Sequence, residues 1–198
     1  VLAHAGGLPA EARLPALTGA YILAYSACDY ARSDRLGKAS LALAEAINDQ
    51  HQIAVVLMYQ GVAFSVKGGF AQAMDRFERS LTIWRALGSE LGIARCLSEQ
   101  ATVLIIYGHH HAALPVLQEA RRRHEAMGDE TGVVRTLTDS GLSALLGGDI
   151  PRAVALLEEA TAMCRRLYAN GSLMYCLCYL GVAYLYAGHL TRSVAVSY

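Results

Sequence analysis

Three consecutive histidines, His109-His110-His111, are the residues of this chain whose type most directly suggests chemistry. Imidazoles bind zinc, but a tetrahedral site needs ligands that converge on one ion. Three neighbours on one backbone do not converge without a suitable loop, and no cysteine or carboxylate cluster accompanies them. They read as a surface turn and the start of a helix, and no metal is expected. The cysteines Cys28, Cys96, Cys164, Cys176 and Cys178 are odd in number and lack C-x-x-C spacing, which indicates neither a disulfide framework nor a zinc site. On a helix Cys176 and Cys178 point in different directions. All five read as small packing residues of a reducing compartment, so the expected location is cytoplasmic. Arg121-Arg122-Arg123-His124 suits the negative C-terminal end of a helix. His51 and His124 have no evident partner. The chain contains no G-x-x-x-x-G-K-[ST], G-x-S-x-G or H-E-x-x-H motif, and the expectation is a non-catalytic protein without a cofactor.

Charge narrows the partners. Seventeen basic residues balance seventeen acidic ones, and no basic stripe or polybasic segment supports contact with nucleic acid or an anionic membrane. Hydrophobic residues make up 54% of the chain, enough for a sizeable core, yet no uninterrupted apolar run reaches the roughly 18 residues of a membrane span. The Ala/Gly/Pro-rich start lacks the basic region of a signal peptide. The chain begins without methionine and stops at Val194-Ala195-Val196-Ser197-Tyr198, inside an expected helix. It is expected to be a piece of a longer protein.

The elements that position these residues follow from a forty-residue interval. Gly61, Ala101, Gly141 and Gly181 stand in one series, Gly68, Gly108, Gly148 and Gly188 in a second, and Ala73, Ala113, Ala153 and Ser193 in a third. Self-similarity at such a period marks stacked supersecondary units. The units are 13–52, 53–92, 93–132, 133–172 and a partial 173–198, forming one solenoid after a lead-in over 1–12. Each unit reads as two helices. The first helix of the second unit spans about Asp49 to Lys67 and stops at Gly68, where glycine accepts the left-handed conformation; Cys28 stands there in the first unit. Second helices begin near Phe70, His110, Ile150 and Leu190 and end near Gly88, Gly128 and Asn170. Ser89 and Asp129 offer capping oxygens to the helices that follow. Small residues let the paired helices approach, while Leu57, Leu97, Leu137 and Leu177, with Phe77, Leu117 and Leu157, fill the space beside them. Gly37 stands where Phe77 and Leu117 stand later, so the first unit is expected to be loosely packed.

This order of large residue, small residue, glycine turn, alanine and aromatic or leucine resembles the tetratricopeptide repeat over nearly the whole chain. The usual repeat has about 34 residues, so the chain is similar to extended members, such as the repeat arms of bacterial signal-transduction ATPases and LuxR-type or MalT-like transcriptional regulators. The resemblance implies an all-α, right-handed superhelical solenoid of stacked antiparallel helix pairs, with nine helices and a truncated tenth. It implies a concave face lined by first helices, with ligands touching Val55, Arg95, Arg135 and Tyr175, then Met58, Ser98, Thr138 and Cys178, then Val62, Thr102, Leu142 and Val182. That face is largely apolar, as peptide grooves are. Arg95 and Arg135 suit a carboxylate or acidic segment, or pair internally with Glu99 or Asp139. The lysine–asparagine clamp of chaperone-tail-binding relatives is absent from these positions. Gln60, Gln100 and Ser140 occupy a slot usually filled by leucine, and read as a hydrogen-bonded ladder or as a polar pocket for a small effector.

The functional expectation is a protein-interaction or effector-sensing module of a larger bacterial signalling or transcriptional regulator. The alternatives are a stand-alone peptide or small-molecule receptor, and an architectural scaffold that buries its apolar face by self-association.

Overall fold

The loops of the chain are one loop repeated. In the computed structural model, which describes residues 9–189 and Ser193, a left-handed residue recurs every twenty positions: Cys28, Asn48, Gly68, Gly88, Gly108, Gly128, Gly148, Tyr168 and Gly188. At Gly68, φ is +82°; its N–H reaches Ser65 O at 3.1 Å, and the N–H of Gly69 reaches Phe64 O at 2.9 Å. These two bonds satisfy carbonyls that the helix end leaves open. One residue further on, Asp49, Ser89, Asp129 and Asp149 accept from the backbone N–H three positions ahead, at 3.0, 3.2, 3.0 and 3.3 Å, which caps the next helix.

Helices fill the intervals between turns: α1 (Ala10–Ser26), α2 (Tyr30–Ala46), α3 (Gln50–Val66), α4 (Phe70–Ala86), α5 (Glu90–Ile106), α6 (His110–Ala126), α7 (Glu130–Leu146), α8 (Ile150–Arg166) and α9 (Asn170–Tyr186). The described residues are therefore all-α, and no strand occurs among them. The starts at Phe70, His110 and Ile150 are those expected from the sequence. The fourth unit needs a correction. Its second helix ends at Arg166, Tyr168 takes the left-handed turn at φ 54°, and Asn170 opens α9 instead of closing α8. A tyrosine in a position that favours glycine hid the signal. The lead-in before Pro9 and the helix expected from Leu190 lie outside the described residues, apart from Ser193, whose hydroxyl donates to Gly181 O at 3.0 Å.

The chain divides into two compact units, Val1–Cys96 and Leu97–Tyr198. In the first, α1 packs on α2, α3 on α4, and α2 and α1 on α3. Its contacts are decided by exchanges of size. A Cβ on Gly61 would sit 2.9 Å from the Phe77 ring, and one on Gly92 would sit 2.3 Å from Trp84; large side chains of α4 lie directly on the backbones of α3 and α5. The α1–α2 pair reverses the exchange. Gly37 occupies the place of Phe77, and Tyr21, at the place of Gly61, comes across instead. A Cβ on Gly37 would be 3.0 Å from its ring, which is 1% exposed. At this contact the volume lost on one helix returns on the other, while Gly37 also lines a cavity between α2 and the α3–α4 pair, in keeping with the loose packing expected of the first unit. His51 sets its ring edge-on to Trp84 at 4.9 Å.

In the second unit α7 packs on α6, α8 and α9. Leu157 lies on Gly141 and His124 on Gly132, where added Cβ atoms would be 2.6 and 2.1 Å away. Leu117, Leu137 and Leu157 are fully buried. The basic run of α6 is neutralised: Arg121 bonds Glu125 and Glu159 at 2.6 and 2.8 Å, and Arg122 and Arg123 bond Glu119 at 3.0 and 2.7 Å.

The turn makes a prediction. Tyr168 is exposed and strained, since a left-handed non-glycine residue costs about 1–2 kcal/mol. Tyr168→Gly should raise stability by about 0.5–1 kcal/mol after the entropic cost of glycine, whereas Gly148→Ala should lower it by about 1 kcal/mol. Urea unfolding of both variants checks the pair, and a destabilised Tyr168→Gly would refute the turn assignment.

Candidate functional site

In the first unit, the α3 residues Val55 and Val62 are half-buried and Met58 is buried. Arg95, in the first turns of α5, is exposed and has no ion-pair partner among the described residues. Gln60 is half-buried and donates to Gly37 O across the α2–α3 contact at 3.4 Å.

In the second unit the expected groove residues sort into two classes. Ser98 and Thr138 are buried, which corrects their placement, with Met58, on an open face. The reason is visible at Thr138, whose Oγ1 lies 3.1 Å from Cys176 Sγ of α9: this row faces the next first helix. Cys178 is exposed, as is Tyr175, while Thr102, Arg135 and Leu142 are partly covered. Among these, Arg135 and Thr102 are brought together. Arg135 Nη1 donates to Glu99 Oε1 at 2.9 Å, and its Nε lies 4.0 Å from Asp139 Oδ2. Thr102 Oγ1 lies 3.1 Å from the same Asp139 oxygen and 3.0 Å from Ser98 O. Burial pushes the Asp139 carboxyl up to about 6 against the opposing pull of Arg135 and the Thr102 hydrogen bond; Glu99 pushes the same way as burial. The Tyr179 hydroxyl is also raised, by burial first and then by the Asp139 charge. Glu99, Asp139 and Tyr179 therefore belong to this polar cluster, although only the first two are legible in the sequence, as one-turn partners of the arginines.

The ladder slot behaves differently. Ser140 Oγ donates to Thr136 O of its own helix at 2.7 Å. Gln100 is half-buried.

Two arrangements were not legible as sites. Ser98 Oγ lies 3.5 Å from His124 Nε2, and His124 Nδ1 lies 2.9 Å from Asp129 Oδ2. The residue types match a hydrolase triad, but Ser98 is 1% and His124 2% exposed, and Asp129 also caps α7. No substrate carbonyl reaches a hydroxyl so enclosed, and the group ties the α6–α7 turn to the core. Cys164 and Cys176 meet with their sulfurs 3.8 Å apart, unbonded and buried, and burial pushes the Cys164 thiol up to about 12, far from a reactive thiolate. His109 and His110 sit at the N-terminal end of α6, and no group among the described residues has the clustering to hold a metal ion. No described helix is long and apolar enough to cross a membrane.

The cluster predicts a pH dependence. The carboxyl of Asp139 is raised from its ordinary value of 3.8 to about 6, so its protonated form contributes stability that is full below about pH 4 and lost as pH rises through 6. Relative to Asp139→Asn, the wild-type chain should lose up to about 2–3 kcal/mol between those limits. Thermal unfolding of both proteins across pH 4–7 measures it, and a constant difference between them would contradict the burial of this carboxyl.

No protein-family model and no curated protein sequence matches the chain. Solved structures do. The structure is similar to BtubC (BKLC) from P. vanneervenii, with a TM-score of 0.80 and 18% identity over 98% of this chain and 81% of that one. It is also similar to nearly identical TPR-like repeats from Podosopora anserina, with a TM-score of 0.75 and 14% identity over 96% and 93% of the two chains. The apo form of RapI gives a TM-score of 0.76 at 12% identity, over 98% of this chain and 54% of RapI. At such identities the likeness concerns the fold alone, and the fold of this chain is the TPR-like helical repeat.

Proposed function

We propose that the chain is a non-catalytic protein-interaction module whose partner lies along the outward face of the first helices. The observation that carries this reading is α9. No charged side chain occurs in Asn170–Tyr186, yet Tyr175 is 57% exposed, and Val182 and Tyr186 also stand in solvent. A helix that is apolar all round is ordinarily buried, and contiguous exposed apolar side chains mark an interface. The absence of charge assigns the occupant: a peptide segment that presents apolar anchors. The TPR-like fold supports this reading. In its finer form, the module is a cytoplasmic, partner-sensing arm of a larger bacterial signalling or transcriptional regulator with extended repeats, a reading supported by the forty-residue spacing of helix starts at Gln50, Glu90, Glu130 and Asn170.

Self-association through the same stripe is the second reading, favoured by its uniformly apolar character. Peptides selected from a random display library on the immobilised chain should perturb the amide signals of Leu142, Tyr175 and Val182. Tyr175→Ala should weaken them about tenfold or more, as for a central aromatic anchor. Peptides that map elsewhere would contradict the proposed face. A dimer seen by light scattering and abolished by Tyr175→Ser would favour self-association.

A further inference from the structure

Residues that break the repeat are gathered at one place. Tyr21 stands where the later units have Gly61, Ala101 and Gly141. Ser33 stands where they have Ala73, Ala113 and Ala153, and Asp34 where they have Met74, Leu114 and Val154. Arg76 stands where the third and fourth units have Val116 and Leu156. All four line a single cavity of about 230 Å³ in the first unit, between α2 and the α3–α4 pair. Leu41, Ala63 and Phe64 form its apolar wall, and Gln60 also lines it.

The polar atoms here are not satisfied from within. The Tyr21 hydroxyl, the Ser33 hydroxyl and Arg76 Nε are buried and have no hydrogen-bond partner; Tyr21 and Ser33 are each 1% exposed as residues. A buried donor without an acceptor costs about 1–3 kcal/mol, and more when it is charged. Arg76 packs its guanidinium over the Phe64 ring at 5.7 Å, and its Nε lies 4.0 Å from the Asp75 carboxylate, too far for a hydrogen bond. Lys67 is taken by Asp34. The lining carries Lys38, Lys67 and Arg76 with Asp34 and Glu45, and Asp75 stands beside Arg76 without reaching its Nε. The space would hold roughly eight waters, or a ligand with about as many non-hydrogen atoms.

We infer that this cavity is a binding site for a small monocarboxylate with an apolar body, whose carboxylate accepts from Arg76 while its body lies against Leu41, Ala63 and Phe64. A carboxylate supplies the acceptor that Arg76 Nε lacks, in a charge-assisted hydrogen bond. The two hydroxyls offer further donors. The site is independent of the α9 stripe, and neither reading depends on the other.

The test uses the whole chain and named probes: benzoate, phenylacetate and hexanoate, against benzamide and hexylamine. At millimolar concentration the carboxylates should shift amide signals in segments 33–42 and 60–67 and raise the melting temperature, and the amide and amine should do neither. Arg76→Leu restores the side chain that the fourth unit carries at this place. It should fold with equal or higher stability while binding the carboxylates about tenfold or more weakly. Arg76→Gln, which keeps a polar side chain of similar reach, should lose binding in the same way and serves if Arg76→Leu does not fold. No shift with any carboxylate, meaning a cavity filled with water alone, would overturn the proposal. Equal binding of benzamide or hexylamine would overturn it too, as would affinity that survives loss of the guanidinium.

Discussion

One constraint governs the interior of this chain: where a large side chain of one helix meets its partner helix, the facing residue must be glycine or nearly so. Phe77 against Gly61, Trp84 against Gly92, His124 against Gly132 and Leu157 against Gly141 are the same contact at successive places, each too close for an added methyl group. Interiors packed to crystal density leave no slack for such a methyl. The helices therefore approach only where small and large alternate in register, and the spacing of the small residues along the sequence is the imprint of that requirement. Tyr21 and Gly37 satisfy the same rule with the roles exchanged.

The turn works with the packing rule. A left-handed residue every twenty positions holds helix length and the phase of side chains constant, so a residue that faces a groove, a core or a neighbour in one unit has the same bearing in the next. That constancy makes departures informative. Polar residues in the apolar phase of the first unit collect around one cavity, and the uncharged α9 leaves its apolar stripe in solvent.

Much of the fold was legible because it is local and periodic. Glycine turns, capping oxygens and the starts of second helices depend on a few adjacent residues, and these fell where expected. The turn at Tyr168 was missed because the conformation is imposed there by packing of the flanking helices against a residue that does not favour it. The consequence of Gly37 was legible only in part: Tyr21 fills its contact from another helix, and single-helix patterning carries no sign of that. At the candidate site, the rows of first-helix residues were legible, but not which row the next helix covers. Ser98 and Thr138 share the polarity of exposed residues, yet they are buried because small hydroxyls can bond their surroundings, as Thr138 does with Val134 O at 2.8 Å. Arg135 was legible as an arginine in want of a carboxylate, and Glu99 and Asp139 supply it.

Whether summed size across a helix pair decides the packing is measured by exchanging the partners in the first unit. Tyr21→Gly alone should cost about 3–5 kcal/mol, the range for removal of a large buried side chain, and Gly37→Phe alone should be destabilised by overpacking. The double variant, which rebuilds the Gly61–Phe77 arrangement in the first pair, should recover more than half of the loss of Tyr21→Gly in urea unfolding. A double variant whose loss equals the sum of the two single losses would contradict it, because independent sites add and facing ones do not.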